Sequence, residues 1–309
     1  MSNTLLGGAI GDALGMPFEK KLANDPYLIN WDGLTFLSSE QHQLQAGQWT
    51  DDSEMQQMVA LSLVENQGLK PEDLASRYLD WFFSGRARGY GRTTKLAMQN
   101  LQSGKHWSES GIADSLGNGS AMRAAPFGIY FRHNIQDIIS ACRIDSTITH
   151  ASAEAEAGSI AIGLAAGYAV NNDLDHLLEK IWVHLPESKV KTVIYSLSAM
   201  LDNESISSSQ VLRVLGTKAD VRETVPAALY CFLKFNNHQD GIVAAIKAGG
   251  DTDTTASIVG ALFGAKDGFR GMNANLALNV EGSSNLIKLD SQLYNRSNSE
   301  FFPNNLSNY

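Results

Sequence analysis

Two short acidic runs carry residues that could do chemistry: Thr50-Asp51-Asp52-Ser53 and Gly249-Gly250-Asp251-Thr252-Asp253-Thr254-Thr255. Each stands immediately before a helical pattern. Asp and Thr at a helix start commonly cap free backbone N–H groups, and capping accounts for either run taken singly. One cap, however, needs one side-chain oxygen, whereas each run supplies several. If the two helix starts converge, Asp51, Asp52, Asp251 and Asp253 put four carboxylates in one small volume, and their repulsion needs compensation. Hard divalent cations such as Mg²⁺ or Mn²⁺ provide it, since carboxylate, hydroxyl and water oxygens suit them. The hydroxyls of Thr50 and Thr254 would complete the shells. A helix N-terminus carries about half a positive charge and opposes a cation, but the carboxylates outweigh it. Residues two apart do not share a helix face, so Asp251 and Asp253 would grip from different directions.

Glycine-rich segments form a second set. Gly7, Gly8, Gly11 and Gly15 punctuate an otherwise helical first segment that ends at Pro17, and close helix packing is the plainer reason for most of them. Glu19 follows and could project into a cleft, although a solvated position is commoner for a lone glutamate. Gly85 to Thr94 concentrates Arg86, Arg88 and Arg92 among flexible backbone, and Ser115 to Arg123 is a second glycine-rich turn leading into a helix. Backbone N–H groups in such turns can cradle a phosphate. Neither run has the Gly-Lys-Ser/Thr ending of a P-loop or the dinucleotide fingerprint, and an ordinary turn explains each alone. His150 precedes an Ala-rich helical stretch. Ser120 lacks the Gly-x-Ser-x-Gly context, which argues against a serine hydrolase.

The elements that must position these residues read as helices. Met55, Met58, Val59, Ser62 and Leu63 recur at three- and four-residue intervals. Pro71-Glu72-Asp73 suits a helix first turn, and Leu74, Tyr78, Trp81 and Phe82 continue its apolar stripe. Residues 151–170 read as a helix buried on most sides, and 173–184, 188–201, 224–235 and 253–265 as further helices. Alternating β-branched runs are rare, so the fold class expected is all-α. No linker or fixed-period repeat divides the chain, and one compact multi-helix domain over 1–309 is expected. Residues 24–48 read as a long loop, a length that often signals function. Beyond Gly271 the composition turns to Asn and Ser, ending in Phe302-Pro303-Asn304-Asn305. That points to a loosely held C-terminal segment over 271–309, in which Leu286, Ile287, Leu289 and Leu293 could still form one short helix.

The 309 residues are 43% hydrophobic and 18% charged, which excludes global disorder. Twenty-four Lys and Arg against 33 Asp and Glu leave a formal charge of -9, the wrong sign for a nucleic-acid or anionic-membrane binder. Cys142 and Cys231 are too few for a disulfide scaffold and read as buried thiols. No basic residue precedes Lys20, Asp12 interrupts the only early apolar run, and no stretch reaches the roughly 20 apolar residues of a membrane span. A cytoplasmic protein is expected.

Taken in order, the motifs resemble the ADP-ribosylglycohydrolase family: Gly8-Ala-Ile-Gly-Asp-Ala-Leu-Gly-Met-Pro-Phe-Glu19, Trp49-Thr-Asp-Asp-Ser53, Gly89-Tyr-Gly91 with Thr93-Thr94, Gly117-Asn-Gly-Ser-Ala-Met-Arg123, Thr149-His150, and the run from Gly249 to Thr255. The resemblance implies a compact all-α fold with two neighbouring Mg²⁺ (or Mn²⁺) ions at the bottom of a cleft. It matches Thr50, Asp51, Asp52, Asp251, Asp253 and Thr254 to metal ligands and Glu19 to a glutamate on a mobile loop near the metals. Ser115, Gly117, Asn118 and Gly119 match the turn around the diphosphate and ribose, and His150 and the Gly89-Tyr90-Gly91 wall line the ADP-ribose site. Leu116, Ser120 and Ser53 depart from frequent family residues, and Glu154 and Glu156 fall where branches differ, which bears on substrate choice.

The activity implied is hydrolysis of an ADP-ribosylated side chain, N-glycosidic arginine first. Glu19 would act as acid/base or gate, Asp52 and Asp253 would orient or deprotonate water, and Arg88, Arg92 and Arg123 would ease entry of the diphosphate. The partner expected is an ADP-ribosylated protein or a small ADP-ribose compound. Competing readings are an O-linked substrate (serine conjugates or O-acyl-ADP-ribose) and a non-catalytic ADP-ribose-binding or lens-type relative.

Overall fold

The structure is a computed structural model and describes residues 2–296. The fold is all-α, as expected. Among the described residues no strand forms, only isolated bridges pairing Leu22 with Gly249, Ser39 with Leu44 and Gly117 with Asp220. One continuous hydrophobic cluster runs from Leu5 to Leu293.

At its centre two helices, Thr4–Gly15 and Thr252–Asp267, cross with their backbones in contact. The four-residue spacing of Gly7, Gly11 and Gly15 puts all three on one face. A Cβ on Gly7 would lie 2.2 Å from the Gly260 carbonyl oxygen, and one on Gly11 would lie 2.1 Å from that of Ala256. Side chains are thus excluded from the seam, as the packing interpretation of these glycines requires. Hydroxyls pin both ends: Thr4 donates to the Ala261 carbonyl at 2.7 Å and Thr252 to that of Gly15 at 2.8 Å. Because the first helix ends against the start of the other, the 3-10 turn Met16–Phe18 delivers Glu19 beside the 251–254 run.

The start of the first helix is held from the other end of the chain. The Leu5 and Leu6 amides donate to the Asp290 carboxylate at 3.0 and 3.1 Å, and burial raises that carboxyl to about 7. Asp290 lies on the helix Ser283–Arg296, whose Leu286, Leu289 and Leu293 are buried. The segment past Gly271 is therefore anchored as far as Arg296, because leucines at three- and four-residue spacing outweigh its Asn and Ser content. Phe302-Pro303-Asn304-Asn305 lies outside the described residues.

Other boundaries follow local capping. The helices Ala153–Val170, Lys189–Asp202 and Val221–Lys234 begin after Ser152, Ser188 and Asp220, each of whose side chains accepts a backbone N–H. The 173–184 run shrinks to Leu177–Trp182 because His176 is left-handed, with φ 55°. Residues 24–48 form a loop with one short helix, Pro26–Ile29. Arg92–Gln102 and Ile135–Thr149 are helices beyond those expected. The first buries only Thr94, Ala97 and Met98, too thin a stripe to read. Cys142 and Cys231 are buried free thiols, and no helix among the described residues is long and apolar enough to cross a membrane.

Replacing Gly11 by Ala sets a methyl group against backbone that cannot rotate away. The expected loss is about 3 kcal/mol of unfolding free energy, at the upper end of ordinary overpacking. Denaturant unfolding checks this, and an unchanged midpoint would show that the two helices separate without cost.

Candidate functional site

The two acidic runs converge. Asp51, Asp52, Asp251, Asp253 and Thr254 line one cleft of about 220 Å³ together with Glu19. Thr254 joins the runs by donating its hydroxyl to Asp52 Oδ2 at 3.2 Å. Neither run caps its own helix: Thr50 precedes Asp51–Asn66 and Asp251 precedes Thr252–Asp267, and neither side chain makes a capping bond. Capping therefore does not explain these residues.

Asp12, on the first helix, caps the Asp51–Asn66 helix from outside it. Fully buried, it accepts from the Thr50 amide at 3.0 Å, the Thr50 hydroxyl at 2.9 Å, the Ser53 amide at 3.0 Å and the Ser53 hydroxyl at 2.7 Å. It thereby frees Asp51 and Asp52 to face the cleft. Sequence reasoning missed this residue, treating it only as a break in an apolar run. The signal was a carboxylate within a buried Gly, Ala and Leu helix, which must find donors.

The assembly is electrostatically costly. Burial is the largest cause raising Asp51, Asp52 and Asp253 well above the ordinary carboxylate range, and neighbouring carboxylates add to it. Asp12 is raised to about 6, burial outweighing its four donors. Asp52 Oδ1 and Asp253 Oδ1 are buried with no hydrogen-bond partner. Oxygens of Asp12, Asp52 and Asp253 lie within 4.8 Å of one another. Buried oxygens without donors, in an all-oxygen set, fit a hard divalent cation. Thr50 is buried behind this surface, its hydroxyl oxygen 3.3 Å from Asp52 Oδ2.

Residues of both glycine turns line the same cleft. Asn118 donates to Asp251 Oδ2 at 2.6 Å and to the Thr224 hydroxyl at 2.9 Å, tying the 115–119 turn to the acidic floor. Ser115 braces that turn from behind, accepting from the Gly117 amide at 3.2 Å. The His150 ring lies against the turn: a Cβ on Gly119 would come within 2.6 Å of it, so only glycine fits. Burial, with the nearby Arg123 charge, lowers His150 to about 3, and the ring is neutral. Gly89 and Gly91 line the cleft, and a Cβ on Gly89 would meet Asp51 Oδ1 at 2.9 Å. Tyr90 points elsewhere, packing on Phe82 and Trp81 with ring centroids 4.7 and 6.2 Å away.

Two arginines leave the role expected of them. Arg123 is fully buried, paired with Asp145 at 2.8 Å, stacked over Tyr78 and donating to the Thr149 hydroxyl. Arg88 forks onto Glu281 and stacks over Trp49. Each is held by a carboxylate already in place, so only Arg92 of the three lines the cleft. Glu19 reaches the cleft edge, where His42 Nε2 stands 2.7 Å from its Oε2. Burial pushes Glu19 upward, but hydrogen bonds from His42 and Lys20 win and hold it below its ordinary value.

A family model described as ADP-ribosylglycohydrolase matches residues 2–301. An uncharacterized protein of Archaeoglobus fulgidus is 31% identical, covering 85% of this chain and 86% of its own. ADP-ribosylhydrolase ARH3 of Xenopus tropicalis is 28% identical over 90% of each chain. ADP-ribosylarginine hydrolase Tri1 of Pseudomonas putida is 27% identical, covering 94% of this chain and 77% of its own. A solved structure named as an ADP-ribosylglycohydrolase-related protein complex superposes with a TM-score of 0.79 over 96% of both chains at 24% identity, which shows a common fold. With a family match across nearly its whole length, the chain belongs to the ADP-ribosylglycohydrolase family.

Proposed function

We propose that this protein is a divalent-metal-dependent hydrolase that removes ADP-ribose from a modified protein side chain, with N-glycosidic ADP-ribosyl-arginine as the leading substrate. The observation that carries the reading is the meeting of two remote acidic runs, with buried and unpartnered oxygens, beneath a glycine turn bonded to one of them. Asp51, Asp52, Asp251, Asp253, Thr254 and Thr50 would hold two ions, Mg²⁺ or Mn²⁺. When bound, such ions fix ribose hydroxyls and lower the pKa of water.

The chain's own residues do the rest. Backbone N–H groups of Asn118 and Gly119 and the Arg92 guanidinium receive the diphosphate, Arg92 being the one Lys or Arg among the described cleft-lining residues. Neutral His150 offers the ribose a hydrogen-bonding edge without adding charge. Cleavage at the anomeric carbon passes through an oxocarbenium-like transition state, helped by an acid at the leaving group and an activated water. Asp52 and Asp253 orient that water or take its proton, and Glu19 serves the leaving group or closes over the ribose. The relative named as an ADP-ribosylarginine hydrolase supports the arginine linkage.

Asp52→Ala and Asp251→Ala should each lower turnover more than about 100-fold, beyond what losing an outer-shell partner does, while helical circular dichroism persists. Arginine-, serine- and acyl-linked conjugates, assayed for released ADP-ribose with and without chelator, test linkage and metal together. Chelator-insensitive release would refute the metal requirement, and tight ADP-ribose binding with no release from any conjugate would make the protein a binding module.

Metal-free protein should also show an unusual stability profile. A carboxyl raised in the folded state stabilises fully below its unfolded pKa near 3.8, and that contribution is lost as pH rises through the folded value, about 6 for Asp12 and likewise raised well above the ordinary range for Asp51, Asp52 and Asp253. Buried neutral His150 and His238, lowered to about 3 and 4, act oppositely below pH 6.5 but do so with or without metal. Saturating Mg²⁺ or Mn²⁺ should therefore raise the melting temperature more at pH 8 than at pH 5. Equal increments at both pH values would show that the carboxylates do not meet the cation.

A further inference from the structure

The 24–48 loop contains a turn that closes on itself. Ser39 N–H donates to the Leu44 carbonyl at 2.9 Å, Leu44 N–H donates back at 3.1 Å, Gln43 is left-handed with φ 54°, and Leu44 is buried as the anchor. The turn presents two side chains to one oxygen. Gln41 Nε2 donates to Glu19 Oε2 at 2.6 Å, and His42 Nε2 lies 2.7 Å from the same atom. On the other oxygen, Lys20 Nζ stands 3.1 Å away, but that side chain is 73% exposed against 9% for His42. Water competes for the lysine bond and hardly for the histidine bond, so His42 is the stronger hold.

The main chain at this point has its own anchor. Lys20 N–H donates to the Gly250 carbonyl at 2.7 Å, and Gly250 N–H donates to that of Lys21 at 2.8 Å. The backbone is thus fixed beside the 251–254 run by bonds that do not involve residues 39–44. What is left open is the Glu19 side chain, which unheld would spread over several staggered rotamers. With the turn in place, one ligand atom each from Glu19, His42 and Asp253 lies within 4.8 Å of the others, so the carboxylate rests at the acidic floor and not in solvent.

We infer that the 39–44 turn is a latch for the Glu19 side chain, and that His42 is a positioning residue acting on the reaction only through that carboxylate. The inference rests on the hydrolase reading above, in which Glu19 serves the leaving group or covers the ribose. His42 donates to the carboxylate from Nε2 as the Nε2–H tautomer, which a carboxylate oxygen 2.7 Å away selects.

The test is a double-mutant cycle on whichever defined ADP-ribosyl conjugate the wild type cleaves. His42→Ala should lower kcat about 10- to 100-fold with KM little changed and an unaltered unfolding midpoint. His42→Gln, which returns a side-chain N–H at similar reach, should recover most of that loss. Combining His42→Ala with Glu19→Gln should give an enzyme no slower than Glu19→Gln alone, because the two act as one unit. A His42→Ala enzyme with wild-type kcat overturns the latch, as does a double variant that falls below Glu19→Gln by the full single-mutant factor. Either result comes from an active wild type and leaves the hydrolase reading standing, whereas a wild type inactive on every conjugate overturns both.

Discussion

Carboxylates gathered out of water repel one another and lose hydration, and that cost at Asp51, Asp52, Asp251 and Asp253 organises the surrounding structure. The fold brings these groups together by placing them at the starts of two packed helices, which cannot drift apart to relieve the repulsion. Backbone contact at Gly7 and Gly11 fixes one helix against the first, and Asp12 fixes the other to it through Thr50 and Ser53. One helix thus serves as the common reference for both halves of the floor. The remaining imbalance, expressed in buried oxygens without donors, is the chemical opening that a cation would fill.

Around this floor, polar groups are held so that they add little charge of their own. The buried Arg123–Asp145 pair, closed by the Tyr78 hydroxyl at 2.7 Å from Asp145, leaves Thr149 to meet His150 Nδ1 at 2.7 Å. A neutral imidazole is thereby oriented against the 117–119 turn without adding positive charge to the cleft. Helix starts carry the carboxylates and Arg92, while turns carry Asn118 and Glu19. That division keeps the mutually repelling carboxylates on rigid backbone and leaves adjustable turns at the cleft walls.

Much of this was legible in the residues. The all-α class followed from three- and four-residue apolar spacing, and the close seam followed from Gly7, Gly11 and Gly15. The excess of acidic oxygens over any capping need marked both runs. Less legible were features whose cause is distant in sequence. Asp12 looked like an interruption because its donors lie some 40 positions away, and Arg123 looked available for a phosphate because Asp145 cannot be paired with it by spacing. The short helix expected in the polar tail gave no sign of its anchoring role, because Asp290 acts on the far end of the chain, at Leu5 and Leu6.

Sequence by itself determined which groups could bind, cap or donate, since those are properties of residue type and short-range periodicity. It also set which helix faces were small enough to touch. Tertiary structure alone decided which charges face each other and which are cancelled. Asp52 and Asp253 meet with open oxygens, Asp12 is consumed by four donors, and Arg88 is neutralised by Glu281. The physical reason is that electrostatic interaction depends on separation and burial in space, and neither is encoded by distance along the chain.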